Sequence, residues 1–229
     1  MIDKPKIVVT EHGPYVVTGH VALTVEVMTP NKEGGSWEWK RAKTFDSQDR
    51  YKLCRCGHSK TKPFCDSTHN QIGFDGTETA SSAPYAQQAQ TTDGPTLVLK
   101  DAESFCSSAR FCENFGSVWE LTKQSDKKKQ RDLTIHEVVS CPSGRLVLRD
   151  KKTGKVVEPD FEPSIGVVED PAKGRSGPLW VRGGIPIESA AGKTYEVRNR
   201  MTLCRCGASQ NKPFCDGRHL KIKFNDELV

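Results

Sequence analysis

The chain has 229 residues, a net charge of +5 and nine cysteines. No stretch is apolar for long enough to span a bilayer, and the opening MIDKPKIVVT lacks the pattern of a secretory signal. The charge is modest and spread along the chain, which argues against a nucleic-acid binder. The cysteines then point to a reducing compartment, the cytoplasm, rather than to a disulfide framework.

Residues 13–23, GPYVVTGHVAL, alternate apolar and polar side chains as half-buried strands do. The NKEGG turn at 31–35 predicts a hairpin, on which Trp37 and Trp39 alternate as packing residues. Residues 54–69 follow as CRCGHSKTKPFCDSTH, placing Cys54, Cys56, Cys65 and His69 in one short loop. A polar stretch, GTETASSAPYAQQAQTTDG at 76–94, reads as a linker.

Beyond it, TLVL (96–99) predicts a strand, RDLTIHEVVS (131–140) a helix and GRLVLRD (144–150) a returning strand. Cys106 and Cys112 precede that helix, and Cys141-Pro142 ends it. KKK at 127–129 is expected as an exposed loop. GPLWVRGGIPI (177–187) then repeats the opening strands, and CRCGASQNKPFCDGRH (204–219) repeats the cysteine–histidine loop with Cys204, Cys206, Cys215 and His219 at the same spacing. Ile72 and Phe74 match Ile222 and Phe224, so each copy is expected to end in a closing strand. His12, His20, His58 and His136 lack ligand spacing.

Two stretches with four soft ligands at identical spacing are hard to explain as packing. Three thiolates and one imidazole could close a tetrahedral zinc site. Zinc ligands, however, usually leave two or more residues between paired cysteines, and here only one separates Cys54 from Cys56 and Cys204 from Cys206. One pair on one iron and a second pair on another suits a two-iron cluster better, and histidine can replace cysteine in such clusters. Basic residues crowd both loops: Arg55, Lys60 and Lys62 in one, Arg205, Lys212 and Arg218 in the other. Positive charge favours the reduced, more negative form of a cluster.

Both loops resemble the CDGSH iron–sulfur domain, the mitoNEET-like family. Ser59 and Ser209 fill its hydroxyl position, Pro63 and Pro213 its proline, and Asp66 and Asp216 its aspartate. The first copy departs with Ser67 where the family has glycine. The second keeps Gly217 but carries Arg218 at a small-residue position. The resemblance implies one [2Fe-2S] cluster per loop, with Cys54/Cys56 and Cys204/Cys206 on one iron and Cys65/His69 and Cys215/His219 on the other. It also implies that the modules work as a pair, within the chain or in a homodimer, since one alone is small.

The middle segment resembles the divergent single-cluster bacterial ferredoxins. Cys106, Cys112 and Cys141-Pro142 match three of their ligands, and Ala109 takes the central cysteine position. The resemblance implies a third cluster, [3Fe-4S] or [4Fe-4S], and an expectation that Ala109→Cys restores a fourth ligand. A ferredoxin-like fold that has lost its cluster is the alternative.

The expected fold is therefore α+β and β-rich, with two small β-strand CDGSH modules flanking a ferredoxin-like insert. Their bounds are 1–78 and 159–229 for the modules, 79–94 for the linker and 95–158 for the insert. No catalytic arrangement, phosphate-binding glycine loop or nicotinamide site stands out, so the expectation is not an enzyme. It is a cytoplasmic electron-transfer or storage protein that meets an unidentified redox partner. Cluster donation to an apo-protein acceptor and a structural zinc scaffold are the alternatives.

Overall fold

The computed structural model describes residues 4–46 and 48–228; the outermost module bounds expected above, residues 1 and 229, lie outside them. The N-terminal part supplies β1 (Lys6–Val9), β2 (Tyr15–Thr18), β3 (Ala22–Pro30), β4 (Ser36–Thr44) and β5 (Arg50–Leu53), followed by the helical turn α1 (Thr68–Gln71). The middle part contains α2 (Tyr85–Gln88), β6 (Gln90–Asp93), β7 (Leu97–Asp101), α3 (Val118–Lys123), α4 (Lys128–Ser140), β8 (Leu146–Asp150) and β9 (Val156–Val157). The C-terminal part adds β10 (Ser164–Asp170), β11 (Arg175–Arg182), β12 (Ile187–Glu188), β13 (Arg200–Leu203) and the turn α5 (Arg218–Lys221). The fold is β-rich α+β, as expected. Among the described residues no helix is long and apolar enough to cross a membrane.

Among the described residues, two of the three sheets are built from both ends of the chain. One has the order β12-β1-β2-β5, the other β13-β11-β10-β3-β4. In each, an antiparallel core from one module (β1-β2-β5 or β10-β11-β13) accepts a parallel strand from the other: β12 pairs with β1, and β3 with β10. The exchange buries Ile7, Val17, Leu23 and Val25 together with Ile165, Val167, Leu179 and Leu203 in one core. A single small module offers too little apolar surface for such a core. The hairpin forms as expected, with β3 and β4 joined through Asn31–Gly35. Trp39 packs on Phe111 and Trp180, and Trp37 on Phe115 and His136.

The third sheet, β6-β7-β8-β9, belongs to the middle segment. Its core of Leu97, Leu99, Val118, Val138, Leu146 and Leu148 is separate from the shared one.

Three sequence expectations differ from the structure. Part of the expected linker is ordered: Tyr85 is buried, and the β-branched pair Thr91-Thr92 lies in β6, the edge strand paired with β7. Lys128 and Lys129 begin α4 rather than a loop, though they remain exposed. The closing strands do not form. Ile72 and Ile222 are exposed, and each chain leaves its helical turn as irregular backbone held by one aromatic anchor. Phe224 is buried beside Cys204 and Cys206, and its carbonyl accepts from Ser176 N at 2.9 Å.

Candidate metal centres

Each cysteine–histidine loop hangs between the end of a strand and a short helical turn. Leu53 ends β5 and bridges Phe64; Leu203 ends β13 and bridges Phe214. Cys54 N donates to Pro63 O at 2.8 Å and Cys204 N to Pro213 O at 2.9 Å, so each loop folds back on its own strand. Both prolines follow cis peptide bonds.

The residues between the ligands build the loop. Ser59 Oγ donates to Phe64 O at 2.7 Å and accepts from Thr61 N; Ser209 Oγ donates to Phe214 O at 2.7 Å and accepts from Asn211 N. Asp66 accepts from Lys60 N and Thr68 N, which hold its carboxyl well below the usual carboxylate range. Asp216 accepts from Gln210 N and Arg218 N.

The ligand side chains come together as two pairs per loop. Cys54 and Cys56 Sγ are 3.8 Å apart, and Cys204 and Cys206 Sγ 3.7 Å. Cys65 Sγ lies 3.4 Å from His69 Nδ1, and Cys215 Sγ 3.4 Å from His219 Nδ1. Two thiolates on one tetrahedral ion, with bonds of about 2.3 Å, stand about 3.8 Å apart. Each pair therefore has the span that one metal ion needs. Among the described residues no three such side chains converge on a single point, as one zinc ion would require. The donor set fits a two-metal cluster, with one pair at each end.

In each cysteine pair one thiol is favoured as thiolate at the expense of its partner, since the contact between them, with burial, pushes Cys56 and Cys206 up. The Cys56 thiol and the backbone N–H groups of residues 56, 57 and 59 pull Cys54 down to about 6 against the effect of burial. The Cys206 thiol and the N–H groups of 206, 207 and 209 pull Cys204 down to about 7 in the same way. Burial pushes Cys215 up well above its ordinary value, and the negative charges of Cys204 and Cys106 add to it.

The basic residues divide by depth. Lys60 is exposed, and Lys62 and Lys212 donate to the carbonyls of Ser59 and Ser209. Arg55 and Arg205, by contrast, are 1% and 3% exposed. Arg55 donates to Thr10 O and Gly76 O, and among the described residues it has no carboxylate partner. Arg205 pairs with both Glu169 and Asp226.

Burial pushes the Glu169 carboxyl up to about 7 against the pull of Arg205, with Asp226 adding to burial. A carboxyl raised in the folded state contributes stability below its unfolded value, here 4.5, and that contribution is lost as pH rises through about 7. Glu169→Gln should remove this dependence, worth on the order of 2–3 kcal/mol across that window. Urea midpoints of both proteins at pH 5 and 7.5 would check it; parallel shifts would overturn it.

The two loops touch. A Cβ on Gly57 would lie 2.6 Å from Cys206 O, and one on Gly207 2.5 Å from Cys56 O. Both glycines have positive φ, so neither position tolerates a side chain. Tyr15 Oη donates toward Cys204 O at 2.8 Å and Pro213 O at 3.0 Å, linking β2 of one module to the loop of the other.

In the middle segment Cys112 lies within reach of the charges of both Cys141 and Cys106. Burial, with the charges of Cys141 and Cys106, pushes the Cys112 thiol up to about 12. Ser107 Oγ, next to Cys106, is buried without a partner among the described residues. Ala109 corrects one expectation. It packs with Met28, Phe111, Val168 and Trp180, whereas Cys112 and Cys141 pack against the core of β7, β8 and α4. A cysteine at 109 enters the Trp180 cluster and supplies no fourth ligand.

All nine cysteines are free thiols. Arg200 is the residue that sequence reading missed. It is fully buried, and it binds the carbonyls of Val138, Val139 and Cys141 and the carboxylate of Glu158. Nothing in its sequence neighbourhood marks it.

Residues 12–70 and 176–220 match the family model of the iron-binding zinc finger, CDGSH type, and residues 92–151 match that of the divergent 4Fe-4S mono-cluster. No curated protein and no solved structure gives a significant match. The chain is thus an iron–sulfur protein in which a divergent 4Fe-4S mono-cluster segment lies between two CDGSH-type iron-binding segments.

Proposed function

We propose that this protein is a cytoplasmic carrier or store of single electrons rather than an enzyme, and that it acts without nucleic acid or membrane. Cys54, Cys56, Cys65 and His69 hold one [2Fe-2S] cluster, and Cys204, Cys206, Cys215 and His219 a second. Cys106, Cys112 and Cys141 hold a third, [3Fe-4S] or [4Fe-4S]. When bound, such clusters supply reversible one-electron chemistry.

The observation that carries the reading is the pairing of ligands, with thiolate pairs at 3.8 and 3.7 Å and thiolate–imidazole pairs at 3.4 Å. The loop contacts at Gly57 and Gly207 bring the two CDGSH-type sites together, as electron exchange needs. The buried Arg55 charge, with no carboxylate partner among the described residues, favours added negative charge at the first site more than the neutralised Arg205 does at the second. Donation of a cluster to an apo-protein is the second reading, favoured by the partial exposure of Cys65 and His69.

Anaerobic purification followed by iron and sulfide counts tests the proposal. Visible colour with sulfide supports it, and colourless protein with zinc overturns it, since zinc sites do not absorb visible light. A [3Fe-4S] cluster in the middle segment should give a sharp electron paramagnetic resonance signal in the oxidised protein, where [2Fe-2S] clusters are silent. Cys106→Ala should abolish that signal and leave the visible spectrum of the other sites. A fully loaded protein with about four irons and no third-cluster signal in either oxidation state would reduce the middle segment to a scaffold.

A further inference from the structure

The two CDGSH-type loops differ at one position for which the structure gives a reason. Gly217 has φ +80°, and its counterpart Ser67 has φ +71°. This left-handed region is costly for L side chains, yet Ser67 occupies it. Backbone conformation alone therefore does not demand glycine at 217. Space does: a Cβ there would lie 2.1 Å from Ser108 Oγ and 3.1 Å from Ser108 Cβ.

Ser108 belongs to the middle segment, two residues after Cys106. The loop that carries it is pinned from several sides. Arg110 donates to Asp170 Oδ2 at 2.6 Å and reaches Ser36 Oγ at 3.3 Å. Asn211 Nδ2 donates to Ser104 O at 2.8 Å, and Phe105 meets the edge of Phe214 with centroids 5.2 Å apart. Under this cover Cys215 is 2% and His219 3% exposed. At the first loop Ser67 is exposed and Cys65 and His69 are half-buried, and His69 lines an open cavity with His12, Asn70, Phe74 and Asp75.

We propose that residues 104–110 are a fixed lid over the second CDGSH-type site, so that the two sites are unequal: the second retains its bound group, and only the first exchanges with solution. The inference rests on reading both loops as cluster sites. It adds a division of labour that their matching ligands do not reveal. The glycine at 217 and the serine at 67 are then the sequence mark of the covered and the uncovered site.

The test uses the full loaded chain at neutral pH with an iron chelator in excess, following visible absorbance and released iron. The two CDGSH-type sites should empty in phases differing at least tenfold in rate, with Cys65→Ala removing the fast one and Cys215→Ala the slow one, while a phase that survives both variants belongs to the middle segment. Gly217→Ser places a hydroxymethyl group against Ser108. It should bring the slow phase to within about threefold of the fast one, since Ser67 shows that the loop itself accepts serine. Adding Ser108→Gly makes room again and should restore the slow phase, and Ser67→Gly should change neither rate.

A single rate for both sites overturns the lid, as does a Gly217→Ser effect that Ser108→Gly fails to rescue. Alkylation of the metal-free chain gives an independent reading by mass spectrometry. Cys65 should react well before Cys215, and Gly217→Ser should narrow the gap; equal rates in the unmodified chain overturn the lid. Iron and sulfide counts taken before chelation test the cluster reading separately.

Discussion

Replacing Arg200 with alanine should cost about 3–5 kcal/mol and loosen the middle segment from the second module. The side chain is 0% exposed. Its Nη1 donates to Val138 O at 2.7 Å, Val139 O at 3.2 Å and Cys141 O at 2.6 Å. Its Nε and Nη2 form a fork on Glu158, at 2.7 and 2.6 Å. The carbonyls lie at the C-terminal end of α4 and the turn after it, where a helix leaves oxygens without partners and presents negative charge. Removal strips these oxygens of the guanidinium and leaves Glu158 without its cation; among the described residues only Val138 O keeps a backbone donor, Cys141 N at 3.2 Å. Cys141 lies in the same turn, so the variant should also bind less iron, by the content of the middle site alone. Arg200→Lys keeps the charge but not the fork, and should recover only part of the loss. Urea unfolding with iron counts checks both statements. Unchanged stability and iron content would show that Arg200 clamps nothing.

Acid should strip the first CDGSH-type site before the second. A metal-bound imidazole must be neutral on the binding nitrogen, so proton competition weakens the site as pH falls. Burial, helped by the charges of Arg205 and Arg110, holds His219 down to about 4. The sign follows from linkage. The folded chain keeps His219 neutral and able to bind metal down to about pH 4, while the unfolded chain takes up a proton near 6.5. His219 therefore contributes stability above pH 6.5 that is lost as pH falls through that window. His69 is only half-buried and open to water.

The two CDGSH-type sites should thus lose colour in separate phases below about pH 6–7. His69→Cys should slow the early phase and lower the potential of the first site, because a thiolate adds negative charge. His219→Cys should act on the late phase alone. Unchanged acid lability and potentials in both variants would remove the two histidines from the ligand sets.

The chemistry of the sites was legible in the sequence because each loop carries its ligands within sixteen consecutive residues. Spacing that short fixes which side chains can share a metal, whatever surrounds them. The duplicated strands were legible for a similar reason, since alternation is a local property of the chain. The closing strands at Ile72 and Ile222 were misread because two matched apolar residues do not define a strand without a partner edge.

Other features depended on residues far apart in sequence. The exchange of β3 and β12 between sheets depends on parallel pairings from opposite ends of the chain. The orientation of Ala109 depends on Trp180 and Met28. The depth of the two sites depends on which loop Ser108 and Arg110 cover. The sequence by itself determined two sets of identical ligands and a third group of cysteines. Only the tertiary structure decided that the two sets are unequal, because burial is set by what packs above a loop and not by the residues within it.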